Sequence, residues 1–336
     1  MDDEPQAHTH DPAIAIGVEL ADLATRLAVV AVGADGQRLG RIQRARLERP
    51  PTPEQVVDRL SAMIREQSAD AQPAEVGVAV WAHVNPDLGV IDEPRYGAAW
   101  NAFPFAGRLG ERVGAPVRLI AGVNAAARAE ARSGAAVGRS PLLYVHLGRT
   151  VSSALVVDGE PLVGARHEAG RLGHWQTGLD GPRCQCGARG HLDPLAAAQS
   201  LARLAIGVAA DDDEALAAIH RVTGMRAEAL TAPQVVALAR DGVRAIRELV
   251  DVAVEALAGA LANLVVTLDP AIIVIGGPLA LADDVWLRWL RERLSDRLAG
   301  VTTSPLLAYA TLEPNAAALG ATWLSRASQQ LSTSGA

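Results

Sequence analysis

His174 to Asp193 reads HWQTGLDGPRCQCGARGHLD, and the rest of the chain is interpreted from it. The segment carries His174, Cys184, Cys186 and His191, and it holds both cysteines of the chain. Two thiols one residue apart, flanked by two imidazoles, match the soft nitrogen and sulfur coordination of zinc. Glycines at 178, 181, 187 and 190 let the backbone double back so that four side chains can reach one ion, which neither a helix nor a strand allows. Four protein ligands close the shell, so the spacing predicts a structural zinc. The plainer alternative is a loop with two reduced thiols and two unrelated histidines. A disulfide between Cys184 and Cys186 is disfavoured because one intervening residue gives poor geometry.

Outward from this segment, 336 residues with 49% apolar content suggest two domains, or one large two-lobed one, with a sizeable core. The net charge of −7 comes without a cluster of Lys and Arg, so no electrostatic footprint for direct nucleic-acid binding is visible. Two cysteines, no cleavable signal and no apolar run of spanning length predict a cytoplasmic protein away from the membrane. The polar residues 1–12 and the closing QQLSTSGA read as disordered tails.

Between the tails the pattern is α/β. AIAIGVELADLATRLAVVAV from Ala13 reads as two strands around a polar turn, with a second turn at Asp35-Gly36 before a third strand. PEQVVDRLSAMIREQ at 53–67 has helical spacing after a Thr-Pro start, and EVGVAVWAHV from Glu75 is a buried strand. A short helix over 105–113 leads to the strand APVRLIAGV and then to the alanine-rich helix NAAARAEAR from Asn124. The same grammar repeats with strands at 142–147 and 153–157. Helices follow through Leu268, then the strand AIIVIGG, a helix over 283–299, the short strand LLAYATL and a closing helix. Alternating strands and helices, after an opening β-hairpin meander, give α/β order.

Four segments resemble the ROK family of bacterial sugar kinases and sugar-responsive repressors, over roughly residues 13 to 328. GRLGH at 170–174 with CQCGARGHLD at 184–193 is similar to the family's G-E-x-G-H and C-x-C-G-x-x-G-C-x-E. VNAAARAE at 123–130 resembles the helix after the family's Asn-Asp pair. LDPAIIVIGG at 268–277 resembles the segment that meets adenosine, and AALGAT at 317–322 resembles the C-terminal helix. The resemblance implies two actin-like, ribonuclease-H-like lobes with a central cleft, paired as a homodimer. The expected lobes are residues 13–121 plus 305–330, and residues 122–304 with the zinc loop. It further implies nucleotide contacts at Gly148, Gly276 and Gly277, with ATP and Mg as co-substrate. Sugar contacts are implied at Asn124, His174 and Asp193, with Arg95 at the place of a substrate-contacting Asn.

The departures from the family pattern point the other way. Glu19-Leu20-Ala21-Asp22-Leu23 stands where the family has D-x-G-G-T, and Gly148-Arg149-Thr150-Val151-Ser152 keeps one glycine of the second phosphate turn. Trp81-Ala82 replaces a Pro-Gly, and Arg171 replaces the sugar-binding acid. Ala121-Gly122 replaces the Asn-Asp pair, so Gly122 stands where the family has its general base. Such a base is worth roughly 10²–10⁴-fold in rate. Three losses together lead to the expectation of a pseudokinase, a non-catalytic and regulator-like protein. It would bind a sugar or, through Arg95, Arg149 and Arg171, a sugar phosphate. The alternative is an ATP-dependent sugar or cyclitol kinase with drifted motifs.

Overall fold

The computed structural model describes residues 14–22, 25–33, 37–47, 51–69, 72–93, 97–178, 181–281 and 284–324. The two tails, the Asp35-Gly36 turn, Leu23 and Arg95 lie outside the described residues.

The chain divides into two compact units. The first unit runs to Ala126 and resumes at Asn315, and the second is Ala127–Pro314. In the first, β1 (Ala15–Ala21), β2 (Arg26–Val32), β3 (Arg38–Arg46), β4 (Glu75–Val80) and β7 (Val117–Ala121) form one sheet in the order β3-β2-β1-β4-β7. The β1–β2 and β2–β3 pairs are antiparallel, while β1–β4 and β4–β7 are parallel. A small hairpin of β5 (Val84–Asn85) and β6 (Val90–Ile91) follows β4. Helix α1 (Pro53–Gln67) starts on a capping box, in which the Gln55 backbone N–H donates to Thr52 Oγ1 and the Thr52 N–H to Gln55 Oε1. It buries Val56, Leu60 and Ile64 with α2 (Phe105–Val113) against Ile16, Val18 and Val78.

The opposite face of this sheet is closed by α10 (Ala316–Ala321), which packs Ala318 on Ala28, Val30 and Val32. Alternate residues of β2 therefore serve two cores, which is why RLAVVAV is almost uninterrupted in its apolar character. Three glycines seat the helix. A Cβ at Gly17 would lie 2.0 Å from the Ala318 carbonyl oxygen, one at Gly77 2.0 Å from that of Ala321, and one at Gly320 1.7 Å from that of Ala125.

The second unit repeats the plan with β8 (Leu142–Leu147), β9 (Val151–Val157), β10 (Glu160–Pro161), β11 (Ile272–Gly276) and β12 (Leu306–Tyr309), in the order β10-β9-β8-β11-β12. Again two antiparallel pairs adjoin two parallel ones. Each unit is thus a ribonuclease-H-like α/β lobe of the actin type. The pairing of β12 with β11 puts residues 305–314 in the second unit, not the first as the sequence reading had it. Helix α3 (Gly122–Ser133) likewise runs across the division at 126/127 instead of opening the second unit.

The helical layer of the second unit comprises α4 (Asp193–Ala196), α5 (Ala198–Ala209), α6 (Asp213–Thr223), α7 (Ala232–Arg240), α8 (Arg244–Leu268) and α9 (Val285–Leu298). At 25 residues α8 is long and apolar enough to cross a membrane, which corrects the expectation that no such run exists. Its apolar stripe of Ile246, Val250, Val254, Leu257, Leu261 and Val265 is buried in one core with Leu201, Val235, Trp286 and Leu290. That is the pattern of a central helix in a water-soluble core.

Candidate active site and metal centre

The segment 174–193 folds as two short antiparallel bridges, Gln176 with His191 and Arg183 with Arg189. Two glycines make the reversal possible. Gly187 and Gly190 have φ of +94° and +75°, and a Cβ at Gly190 would lie 1.5 Å from the Gly178 carbonyl oxygen. This brings His174, Cys184, Cys186 and His191 together, with one ligand atom of each within 4.8 Å of the others. His174 Nδ1 lies 3.2 Å from His191 Nδ1 and 3.8 Å from Cys184 Sγ, and Cys186 Sγ lies 3.4 Å from His191 Nδ1. A zinc tetrahedron built on ordinary bond lengths has nitrogen–nitrogen and sulfur–nitrogen edges of about 3.4 and 3.6 Å. The donor set and its spacing therefore fit the ion. Burial pushes the Cys184 thiol above its usual range.

Asp193 closes the segment and is committed to the protein. Its Oδ1 accepts the Val151 N–H at 2.5 Å, tying the metal loop to the 148–152 turn, while the Gly148 carbonyl accepts from Ala198. Arg171 Nη2 pairs with Glu168 Oε1 at 2.9 Å, and both side chains are well exposed. Arg149 is exposed on its turn.

Along the carboxyl edge of the second sheet, Gly276 ending β11 is in register with His146 near the end of β8, one residue before Leu147 and two before Gly148. Glu313 reaches this edge. Its Oε1 accepts from Tyr144 Oη at 2.9 Å and from the Gly277 N–H at 3.2 Å, and lies 3.6 Å from His146 Nδ1. Burial pushes the Glu313 carboxyl up, but His146, Tyr144 and Gly277 together bring it below its ordinary value. The glycines fit the same cluster: a Cβ at Gly276 would lie 2.0 Å from Tyr144 Oη, and one at Gly277 2.8 Å from the Leu147 carbonyl oxygen.

Along the carboxyl edge of the first sheet, Glu19 near the end of β1, Trp81 after β4 and Gly122 after β7 are neighbours. Trp81 Nε1 donates to Glu19 Oε1 at 2.7 Å, and a Cβ at Gly122 would meet Trp81 ring atoms at 2.6 to 2.9 Å. Asn124, in the first turn of α3, is buried, and its Oδ1 has no hydrogen-bond partner among the described residues. The sequence reading missed Glu313, His146 and the Glu19–Trp81 bond. The one available signal was their place at strand ends, since open α/β sheets bind ligands at the carboxyl edges of their strands.

Residues 15–328 match the model of the ROK family. The chain belongs to the ROK family. It is 28% identical to a glucokinase of Thermotoga maritima over 281 residues, covering 84% of this chain and 87% of the relative. It is 31% identical to a glucokinase of Halalkalibacterium halodurans over 252 residues, 74% of this chain and 75% of the relative. The crystal structure of a ROK hexokinase from Thermus thermophilus superposes with a TM-score of 0.78 at 27% identity, covering 94% of this chain and 99% of that one.

These likenesses overturn the expectation that the chain is not an enzyme, because the two relatives, matched over 84% and 74% of the chain, are glucokinases. The physical error lay in the weight given to Gly122. Phosphoryl transfer is carried almost entirely by positioning and charge stabilisation, and a positioned base accounts for only part of the rate, so a glycine at 122 does not by itself exclude activity.

Proposed function

We propose that the protein is an ATP-dependent sugar kinase of the ROK type with drifted motifs, acting in the cytoplasm on a hexose or a related sugar. The observation that carries this reading is the 31% identity to the H. halodurans glucokinase over 74% of the chain. The carboxyl edges of the two sheets supply the groups. In the first unit Glu19, Trp81, Gly122 and Asn124 are the groups for the sugar, and in the second unit Gly148, Gly276 and Gly277 are those for Mg–ATP. Zinc at His174, Cys184, Cys186 and His191 is structural in this proposal. It holds the loop whose Asp193 fastens the Val151 turn.

A kinase working without a carboxylate at position 122 is slow, not inert. Protein kinases turn over at about 1–100 s⁻¹, and a positioned base contributes about 10²–10⁴-fold, which leaves roughly 10⁻⁴ to 1 s⁻¹. A coupled ADP-release assay on zinc-loaded protein across hexoses, amino sugars and cyclitols is the test. Sugar-dependent ADP release within that window is expected, and its absence for every sugar at millimolar concentration refutes the reading.

Pairing of two copies belongs to the same proposal. Trp175, Val252 and Val266 are exposed beside an open groove along α8. Such patches mark interaction surfaces. Sedimentation velocity at micromolar concentration distinguishes a dimer from a monomer.

A further inference from the structure

Strands β1, β4 and β7 are parallel neighbours, so their carboxyl ends meet on one edge of the first sheet. Three side-chain choices on that edge depend on one another. Gly122 has no side chain, and the space one would fill is taken by Trp81, whose Cδ2, Cε2 and Cγ would lie 2.6, 2.7 and 2.9 Å from a Cβ there. The indole is held at its other end, where Nε1 donates to the Glu19 carboxylate at 2.7 Å. A hydrogen bond of this length at the far end of the indole fixes the rotation of the ring about its own bonds. Trp81 is only partly buried, and it is absent from the apolar core of this unit.

A large aromatic ring held at two points and only partly buried, at the strand ends where open α/β sheets take their ligands, has the properties required of a stacking platform. The face of an indole carries negative charge density, which attracts the polarised C–H bonds of a pyranose. An axial hydroxyl on the stacked side holds the sugar away from the ring, whereas a face with equatorial hydroxyls alone lies flush. We propose that Trp81 is the specificity-determining floor of the acceptor site, selecting pyranoses or cyclitols that carry no axial hydroxyl on the face turned to the ring. Glu19 is the positioning residue that orients it. This inference rests on the sugar-kinase reading, and it names the substrate class of that site.

The test combines equilibrium dialysis of sugars with the ADP-release assay for the wild type, Trp81→Phe, Trp81→Ala and Glu19→Ala, each checked for folding by its melting curve. Trp81→Ala is expected to raise KM and Kd for all-equatorial sugars by roughly tenfold, with a smaller change in kcat, as loss of aromatic contact energy implies. Trp81→Phe should keep most of the affinity. Glu19→Ala should follow Trp81→Ala in KM, because it acts through the ring. Of the two axial epimers of an all-equatorial sugar, with the axial hydroxyl on one face or the other, the wild type should reject one set more strongly, and that discrimination should fall in Trp81→Ala.

A wild type that binds and phosphorylates sugar while folded Trp81→Ala and Trp81→Phe show unchanged KM and discrimination overturns the platform alone. A wild type that binds sugar through Trp81 but releases no ADP overturns the kinase reading alone. Failure to bind any sugar of the set overturns both.

Discussion

Replacing Gly17 by Ala isolates the packing that seats α10 on the first sheet. Gly17 lies in a strand with a negative φ, where Ala fits the backbone and would by itself stabilise the protein by about 0.4–1 kcal/mol through the unfolded chain. The contact reverses that sign. The new methyl would lie 2.0 Å from the Ala318 carbonyl oxygen, a backbone atom that no side-chain rotation can move. Restoring an ordinary contact of about 3.5 Å means lifting the helix by about 1.5 Å. A six-residue helix is about 9 Å long and about 10 Å wide, so the lift opens about 135 Å³ between helix and sheet. At about 24 cal/mol per Å³ of cavity this costs about 3 kcal/mol. After the unfolded-state gain, the net loss is about 2–3 kcal/mol, or a fall of about 5–10 °C in melting temperature for a lobe of this size. Differential scanning calorimetry reads the shift. Gly107→Ala is the control, because that helical glycine has nothing within 4 Å of an added Cβ and should gain about 0.5–1 kcal/mol. If Gly17→Ala melts at or above the wild-type temperature while Gly107→Ala behaves as stated, the helix does not lie on Gly17 and the packing argument fails.

Metal analysis of protein purified without added zinc should give one zinc per chain, with Cys184→Ser or a strong chelator removing it and lowering the melting temperature. A stoichiometry near zero together with no response to chelation contradicts the site. The Glu313 carboxyl is held below the ordinary glutamate value of about 4.3, so it favours the folded state above that pH, and the contribution fades as the pH falls through its lowered value. Glu313→Gln should therefore flatten the acid limb of the stability curve below about pH 4.5, and an unchanged limb in urea titrations would show that the carboxylate is not held by His146, Tyr144 and Gly277.

What the sequence made legible follows the range of the interactions involved. The strands stood out because both faces of each sheet are covered, as RLAVVAV at 26–32 shows. The capped start of α1 at Thr52 and the four ligands between His174 and His191 stood out because their partners are three to seventeen residues apart. Glu19 bonds Trp81 across 62 residues, and Tyr144 bonds Glu313 across 169. Parallel crossovers create such neighbours, and no local period announces them. The strand LLAY at 306–309 failed for a related reason: four residues carry no mark of which sheet edge they will join, so it was assigned to the wrong unit.

Read as isolated changes, Gly122 is a deletion of chemistry and Trp81 an unexplained bulky residue. Packed together the two positions are coupled, since the indole occupies the volume a side chain at 122 would need. Restoring the carboxylate with Gly122→Asp alone would force its Cβ to within 2.6 Å of the ring and strain the bond to Glu19. That variant should lose stability by about 1–3 kcal/mol, as overpacked sites do, and gain little activity. Trp81→Gly combined with Gly122→Asp frees the volume. The pair should then raise kcat toward the range a positioned base supplies, about 10²–10⁴-fold, while weakening sugar binding because the platform is gone. The gain of the pair beyond the sum of the single changes measures their coupling in a double-mutant cycle. Equal gains from Gly122→Asp alone and from the pair would show that the ring yields freely, and the two positions would then have to be treated as independent.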